Sequence, residues 1–202
     1  MAQIGRPREF DTTDALDKAV EVFWRQGYEG TTLVDLTRAM GISKPSLYSA
    51  FGTKADTFKK ALTRYATVDM AYVDDALAEA SAFDVARHYL EANVAAVTTP
   101  GKPAGCLSIQ GGLSSSPEDR SIIDFLNASR SDAADRFTAR FTRARNDGDL
   151  AAEEDPADLA AYVTTVSAGI AVQAASGASR EQLLRVASRA LLAFPRAERA
   201  VD

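Results

Sequence analysis

The chain has 202 residues, of which 46% are hydrophobic, 25% charged and 8% aromatic, and its formal net charge is −5. This is the composition of a soluble globular protein with a real core, and it excludes intrinsic disorder. No apolar run approaches the roughly 20 residues that cross a bilayer, so no membrane partner is expected.

Residues 1–10 are polar and basic without an apolar signal core, so export is not expected and the cytoplasm is the anticipated compartment. Cys106 is the single cysteine and His88 the single histidine. One cysteine allows no intrachain disulfide, and one of each excludes the usual Cys/His zinc sets within a chain. No cofactor is expected. Charge is unevenly spread: residues 1–64 carry ten Lys/Arg and eight Asp/Glu, and the rest carry thirteen and twenty. A mildly basic head and an acidic body follow, although chance also produces a difference of this size.

Helical periodicity runs through the chain and no sustained period-2 alternation occurs, which predicts an all-α fold. Leu16, Ala19, Val20, Phe23 and Trp24 form one apolar stripe, capped by Asp11 and ended by Gly27. A short helix follows Thr31 and Thr32, with Leu33, Leu36 and Met40 inward, Asp35 completing a capping box, and Gly41 breaking it. A third runs from about Lys44 to Phe51 and stops at Gly52. Thr53 to Asp56 opens a long helix carrying Phe58, Leu62 and Tyr65.

Farther on, Phe83 to Val97 reads as a helix, and 104–115 as a short Gly-interrupted one with Cys106, Leu107 and Leu113. Ser116-Pro117-Glu118-Asp119 is a strong helix start for a segment bearing Ile122, Phe125, Leu126, Phe137 and Phe141. Asp155-Pro156 starts another, with Leu159, Tyr162, Val163, Val166 and Ile170. Ser179 to Gln182 reads as a capping box for the last helix, which ends at Phe194-Pro195.

Gly41-Ile42-Ser43 between the second and third helices makes a helix-turn-helix pattern. Ser43 caps the third helix and Pro45 suits its first turn. Lys44, Ser46, Tyr48 and Ser49 form a polar, short-armed face suited to a major groove, while Leu47 and Phe51 face the core. Such corners also occur in helical domains that bind no DNA.

The match extends further. The segments Gly5 to Asp11, Phe23 to Thr32, Leu36 to Gly41 and Lys44 to Lys54 closely resemble the TetR family of one-component transcriptional regulators, over about residues 5–65. The resemblance implies a homodimer on double-stranded operator DNA, an effector cavity in the body, and repression relieved by a small molecule. It places Ser43, Lys44, Pro45, Ser46 and Tyr48 on the groove-facing helix. Tyr48, Thr32 and Lys54 are then phosphate contacts, with Lys54 aided by a helix N-terminus. Arg6 and Arg8 form a basic arm, or else a disordered tail; Tyr48 is alternatively a packing tyrosine.

Domain boundaries follow: a helix-turn-helix DNA-binding domain over residues 1–52, and a helical effector-binding and dimerisation domain over 53–202. In the body, Phe83, Tyr89, Phe125, Phe137, Phe141 and Tyr162, with Tyr72, line an apolar cavity or simply fill the core. The acidic body favours neutral or cationic ligands. The Ala-rich helices 156–176 and 179–195 suit either a four-helix dimer interface or intrachain packing.

Cys106, at the start of a short helix, is either an inert core thiol or a sensor in the pocket. Its Gly-Cys-Leu surroundings resemble a subset of TetR-like regulators, some of which answer electrophiles or oxidants. His88 reads as a satisfied histidine rather than a ligand. A small enzyme using Cys106 and His88 is the rival from another class; it lacks a nucleophile motif and leaves the head unexplained.

Overall fold

The computed structural model of the chain describes residues 10–111 and 120–196. Their regular elements are all helices, and no strand occurs among them. Four helices build the head and its exit: α1 (Thr12–Gly30), α2 (Leu33–Met40), α3 (Lys44–Phe51) and α4 (Lys54–Val68). The body holds α5 (Tyr72–Leu77), α6 (Ala82–Val97), α7 (Leu107–Gln110), α8 (Arg120–Asn146), α9 (Pro156–Ala175) and α10 (Arg180–Leu191).

Local chemistry sets the boundaries in the head. The Asp11 carboxylate accepts from the N–H groups of Thr13 and Asp14. Thr32 with Asp35, and Thr53 with Asp56, close reciprocal capping boxes on α2 and α4. Gly41 adopts φ 68, ψ 29, the left-handed geometry that lets α2 stop and α3 turn away within three residues. Gly27 interrupts rather than ends α1: at φ 70, ψ 176 it breaks the helix, which resumes through Gly30.

The head core is a cluster of rings. Phe58 of α4 meets Phe23 edge-on at 5.0 Å and Tyr28 at 5.2 Å, while Trp24 meets Tyr65 at 4.8 Å. Phe23, Leu36, Leu47 and Phe58 are all fully buried. Arg64 forks onto the Asp17 carboxylate from Nε and Nη2, at 2.7 and 3.0 Å, tying α4 along α1.

In the body, α9 packs against α6, α8 and α10. It buries Leu159, Val163, Ile170 and Ala171. The Asp149 carboxylate accepts from the Ala82 N–H at the start of α6. Arg140, itself buried, donates to the carbonyls of Glu79 and Ala80 and so pins the α5–α6 connection. Burial pushes this guanidinium below its ordinary value.

Three further expectations change. Of the short helix predicted over 104–115, the described part is helical only at Leu107–Gln110, with Cys106 at its N-cap. At α10 the Ser179 half of the expected box forms, its hydroxyl accepting from the Gln182 N–H. Helix α5 was not predicted: Ala71 at its N-cap makes no side-chain bond, and six residues are too few to show a period. The expected start at Ser116-Pro117-Glu118-Asp119, and Leu113, lie outside the described residues. No described helix is long and apolar enough to cross a membrane.

Candidate nucleic-acid interface and effector cavity

Helix α3 is held from both ends. At its start, the Ser43 hydroxyl accepts from the Ser46 N–H at 3.2 Å and lies 2.8 Å from the Ser46 hydroxyl. Pro45 fills the first turn, where a missing N–H costs nothing. At its end, Lys60 of α4 donates to the carbonyls of Ala50 and Phe51, placing a cation where the helix dipole is negative. Leu47 and Phe51 anchor the inner face in the core.

The outer face presents Ser43, Lys44, Pro45, Tyr48 and Ser49 to solvent, with Ser46 half-buried. Tyr48 is 44% exposed, so it is a surface residue and not a packing tyrosine. The Lys44 ammonium lies 6.0 Å from its ring centre. These side chains form one exposed, largely polar face on a helix held at both ends, as groove entry demands.

Thr32 and Lys54 sit beside it but are already engaged. The Thr32 hydroxyl accepts from the Asp35 N–H and donates to Asp35 Oδ2 at 2.6 Å, so its proton is committed to the capping box. Lys54 donates to the Thr31 carbonyl at 3.0 Å and lies 4.2 Å from the centre of the Tyr28 ring. Two ammonium protons remain for a phosphate; the Thr32 O–H does not. Val34, 61% exposed on α2, is an apolar surface residue beside this face that the sequence reading did not single out. Arg6 and Arg8 lie outside the described residues.

A cavity of about 540 Å³ opens in the body between α4, α5, α6, α7, α8 and α9. Its apolar wall includes Leu62, Met70, Val73, Ile109, Ala168 and Ala171, and its polar wall Asn93, Ser108, Thr164 and Ser167. Tyr65, Tyr89 and Cys106 also border it, with Asp74, Arg130, Asp132 and Arg136. Arg136 pairs with Asp74, and Arg130 donates to the Ser108 carbonyl at 2.8 Å, fastening α8 to α7.

Of the aromatic set predicted for this cavity, only Tyr89 borders it. Phe137 and Phe141 are fully buried core residues, and Phe83 and Phe141 pack around Phe194 with ring centres at 6.5 and 5.5 Å. Tyr162 binds the Ala190 carbonyl through its hydroxyl at 2.8 Å and so joins α9 to α10. Phe125 faces a shallow cleft between head and body, under the Lys59 ammonium at 5.8 Å. Tyr72 lies behind the cavity wall, its ring 6.2 Å from that of Tyr89. Aromatic content alone does not distinguish a core wall from a cavity wall, and that is where the expectation failed.

Cys106 is 4% exposed, and its Sγ lies 3.0 Å from the Ser108 hydroxyl oxygen. Burial first, and the adjacent thiol second, raise the Tyr65 phenol far above its ordinary value. His88 Nδ1 meets the Glu79 carboxylate at 2.8 Å, a satisfied half-buried histidine on the rim of α6. No group of His, Cys, Asp and Glu among the described residues is arranged to hold a metal ion.

Residues 15–61 match the family described as bacterial regulatory proteins, tetR family. The HTH-type transcriptional repressor ComR of Escherichia coli is 34% identical over 194 residues, covering 95% of this chain and 92% of ComR. The HTH-type transcriptional repressor BdcR of the same species is 28% identical over 188 residues, covering 92% and 90%. Among solved structures, a cysteine mutant of the TetR family transcriptional regulator CifR, complexed with 26bp double-strand operator DNA, is 42% identical with a TM-score of 0.90. It covers 94% of this chain and 100% of the CifR chain. Similarity at this level over nearly the whole length, joined to the groove-facing α3, has one meaning: the chain belongs to the TetR family of DNA-binding transcriptional regulators and is not an enzyme.

Proposed function

We propose that this chain is a repressor that acts as a homodimer on a palindromic operator and is released by a small molecule bound in the body cavity. One observation carries the reading. Helix α4 serves both sites: Phe58 lies in the head core, and Leu62 and Tyr65, one and two turns on, border the cavity. A ligand that moves the cavity wall therefore moves the helix on which the head is packed. Helix α7 is a second link, because Ser108 and Ile109 border the cavity while a Cβ at Gly111 would stand 3.1 Å from the Phe58 ring.

The dimer rests on α9 and α10. Beside the buried row Leu183, Ala187 and Leu191, α10 carries the exposed Leu184 and Val186, and Leu192, 69% exposed, follows at its C-cap. Val172 of α9 adds to these at 41%. Such a face, repeated on a second copy, forms a four-helix contact about a two-fold axis. Two α3 helices then meet half-sites about one helical turn, roughly 34–36 Å, or a multiple apart. Capture of the CifR mutant on operator DNA supports an operator for this chain.

The test is sedimentation with mobility shift on promoter DNA, with and without small apolar molecules. A dimer that binds a palindrome and is released by a cavity ligand is expected. A monomer at micromolar concentration that binds DNA without dimerising overturns the dimer; cavity ligands that leave operator affinity unchanged overturn the release.

A second reading concerns Cys106, which borders the cavity and so meets whatever enters it. In this reading the releasing molecule is an electrophile or oxidant that modifies the thiol. Release by such a reagent in wild type, and none in Cys106→Ser, is its expected signature. Equal release in both leaves the reversible ligand alone.

A further inference from the structure

The cavity has a polar floor that is neutral in every member. Asn93 of α6 is 2% exposed and borders the cavity. Its Nδ2 donates to the Tyr72 hydroxyl at 3.0 Å, and its Oδ1 meets no donor among the described residues. Tyr89 and Ser167 of α9 also border the cavity, and the Tyr89 ring stacks on that of Tyr72. Burial raises both phenols, Tyr89 to about 12, so both stay protonated at any physiological pH.

An amide oxygen buried without a donor has given up its water and received nothing in exchange. No group bordering the cavity donates to it. Of the charged groups that border it, Asp74, Asp132 and Arg136 are exposed and Arg136 pairs with Asp74, while Arg130 is half-buried and its Nε meets no acceptor among the described residues. A cation drawn inside would lose its hydration against a floor with no counter-charge, and an anion would find Arg130 alone.

We infer that Asn93 is the residue that selects the effector, and that the effector is a neutral, mainly apolar molecule carrying one hydrogen-bond donor, an alcohol or amide N–H, which docks on Asn93 Oδ1. This rests on the cavity being the effector site, and it narrows what that site takes. Specificity arises because a site built around a buried acceptor rejects analogues that lack the donor more strongly than it rejects changes in apolar bulk. The inference reaches Asn93 rather than Ser167 because Asn93 Oδ1 is a buried acceptor left without a donor and the Ser167 hydroxyl is not among such atoms.

The experiment compares four probes of one shape by calorimetry on the full chain: 4-tert-butylcyclohexanol, its methyl ether, tert-butylcyclohexane, and 4-tert-butylcyclohexanecarboxylate. The alcohol is expected to bind at least tenfold more tightly than the ether, a difference of about 1.4 kcal/mol. The hydrocarbon should match the ether, and the carboxylate should be weakest. Asn93→Leu should erase the advantage of the alcohol while hydrocarbon affinity is kept. Asn93→Ala is the second variant should leucine impair folding, and the alcohol-to-ether ratio in wild type decides without either.

Alcohol, ether and hydrocarbon binding alike would overturn the role of Asn93 and leave the cavity as an effector site. A carboxylate that outbinds the alcohol would overturn it in favour of an anion held at Arg130. An alcohol preference unchanged in both variants would move the donor contact elsewhere and also overturn it. No binding by any probe would remove the cavity reading and this inference together.

Discussion

The head and the body solve opposite problems with the same helices. In the head, three ring pairs at 4.8 to 5.2 Å fill the core, and α2, α3 and α4 each start on a side-chain cap. In the body, α5 to α9 all border open space, and Asn93, Gln110, Arg130 and Arg140 keep polar atoms that the described residues do not satisfy, against Trp24 Nε1 in the head. A surface that must match a groove gains from rigidity, since a looser helix spreads its side chains over many registers. A surface that must respond to a small molecule gains from unfilled space, because only an arrangement with two accessible states can be shifted by binding.

That contrast is broken most directly by matched truncations. Phe58→Ala removes a fully buried ring that touches both Phe23 and Tyr28, and a loss of about 3–5 kcal/mol is expected. Ile109→Ala, at a half-buried position beside the cavity, should cost less than the roughly 2–5 kcal/mol usual for such a change in a packed core. Chemical denaturation of both variants measures the difference. Equal losses would mean that the body is as tightly packed as the head.

The next effect lies on the DNA face. Lys44→Ala should relax base preference by about 1–3 kcal/mol if its ammonium reaches a guanine. Lys54→Ala should weaken all sequences alike and lower the salt slope by about 0.9, the value for one lost phosphate contact. It should also lower stability, because Lys54 holds the Thr31 carbonyl and the Tyr28 ring. Titration of operator and random DNA at several salt concentrations separates the two lysines; identical profiles would remove the division of labour.

Much of the head was legible because its determinants are local. Thr32, Ser43 and Thr53 sit immediately before apolar periodicity, and each caps the helix that follows. Gly41 marks its turn for the same reason. The cavity was not legible from aromatic content, since Phe137, Phe141 and Phe83 carry the same signal whether they fill a core or line a space. A different signal was present. Asn93 interrupts the apolar row Tyr89, Leu90, Val94 and Val97, and Ser167 interrupts Val163, Val166 and Ile170. A polar residue inside an apolar stripe implies a partner or a ligand, and both residues border the cavity. Which faces of α4, α6 and α9 enclose empty space depends on how distant segments assemble, and no local spacing encodes that.

Capping supplies a smaller effect. Thr53→Ala removes the hydroxyl that accepts from the Asp56 N–H, and about 1 kcal/mol of stability should go with it. The same box gives a pH dependence. Bonds from the Thr53 hydroxyl and N–H hold the Asp56 carboxyl below its ordinary 3.8, and Thr32 does the same for Asp35. A depressed acid contributes its full stabilisation above the unfolded value and loses it as pH falls through the folded one. Melting midpoints should therefore be insensitive to these groups near neutrality and fall below pH 3.8, and the fall should be shallower in Thr53→Ala. An acid limb of the same steepness in both proteins would show that the box is not formed in solution.

The smallest change in the empty protein has the most to say about the body. Ala168 of α9 borders the cavity at a half-buried position, so a longer side chain there points toward space rather than into a packed neighbour. Ala168→Met should fold normally and gain a little stability, about 0.5 kcal/mol, the lower end of what cavity filling delivers. Operator affinity in the absence of ligand should not change, because α3 and its supports from Ser43 and Lys60 are untouched. What should disappear is the response to a ligand, since the new side chain occupies the volume the ligand needs. The two halves of the outcome matter together: a ligand shifts a two-state equilibrium only through its differential affinity for the states, so blocking its seat removes the shift without biasing the resting protein. A variant that loses operator binding before any ligand is added would show that the cavity wall and the head are one rigid unit, and the division between a packed reader and an open sensor would then fail.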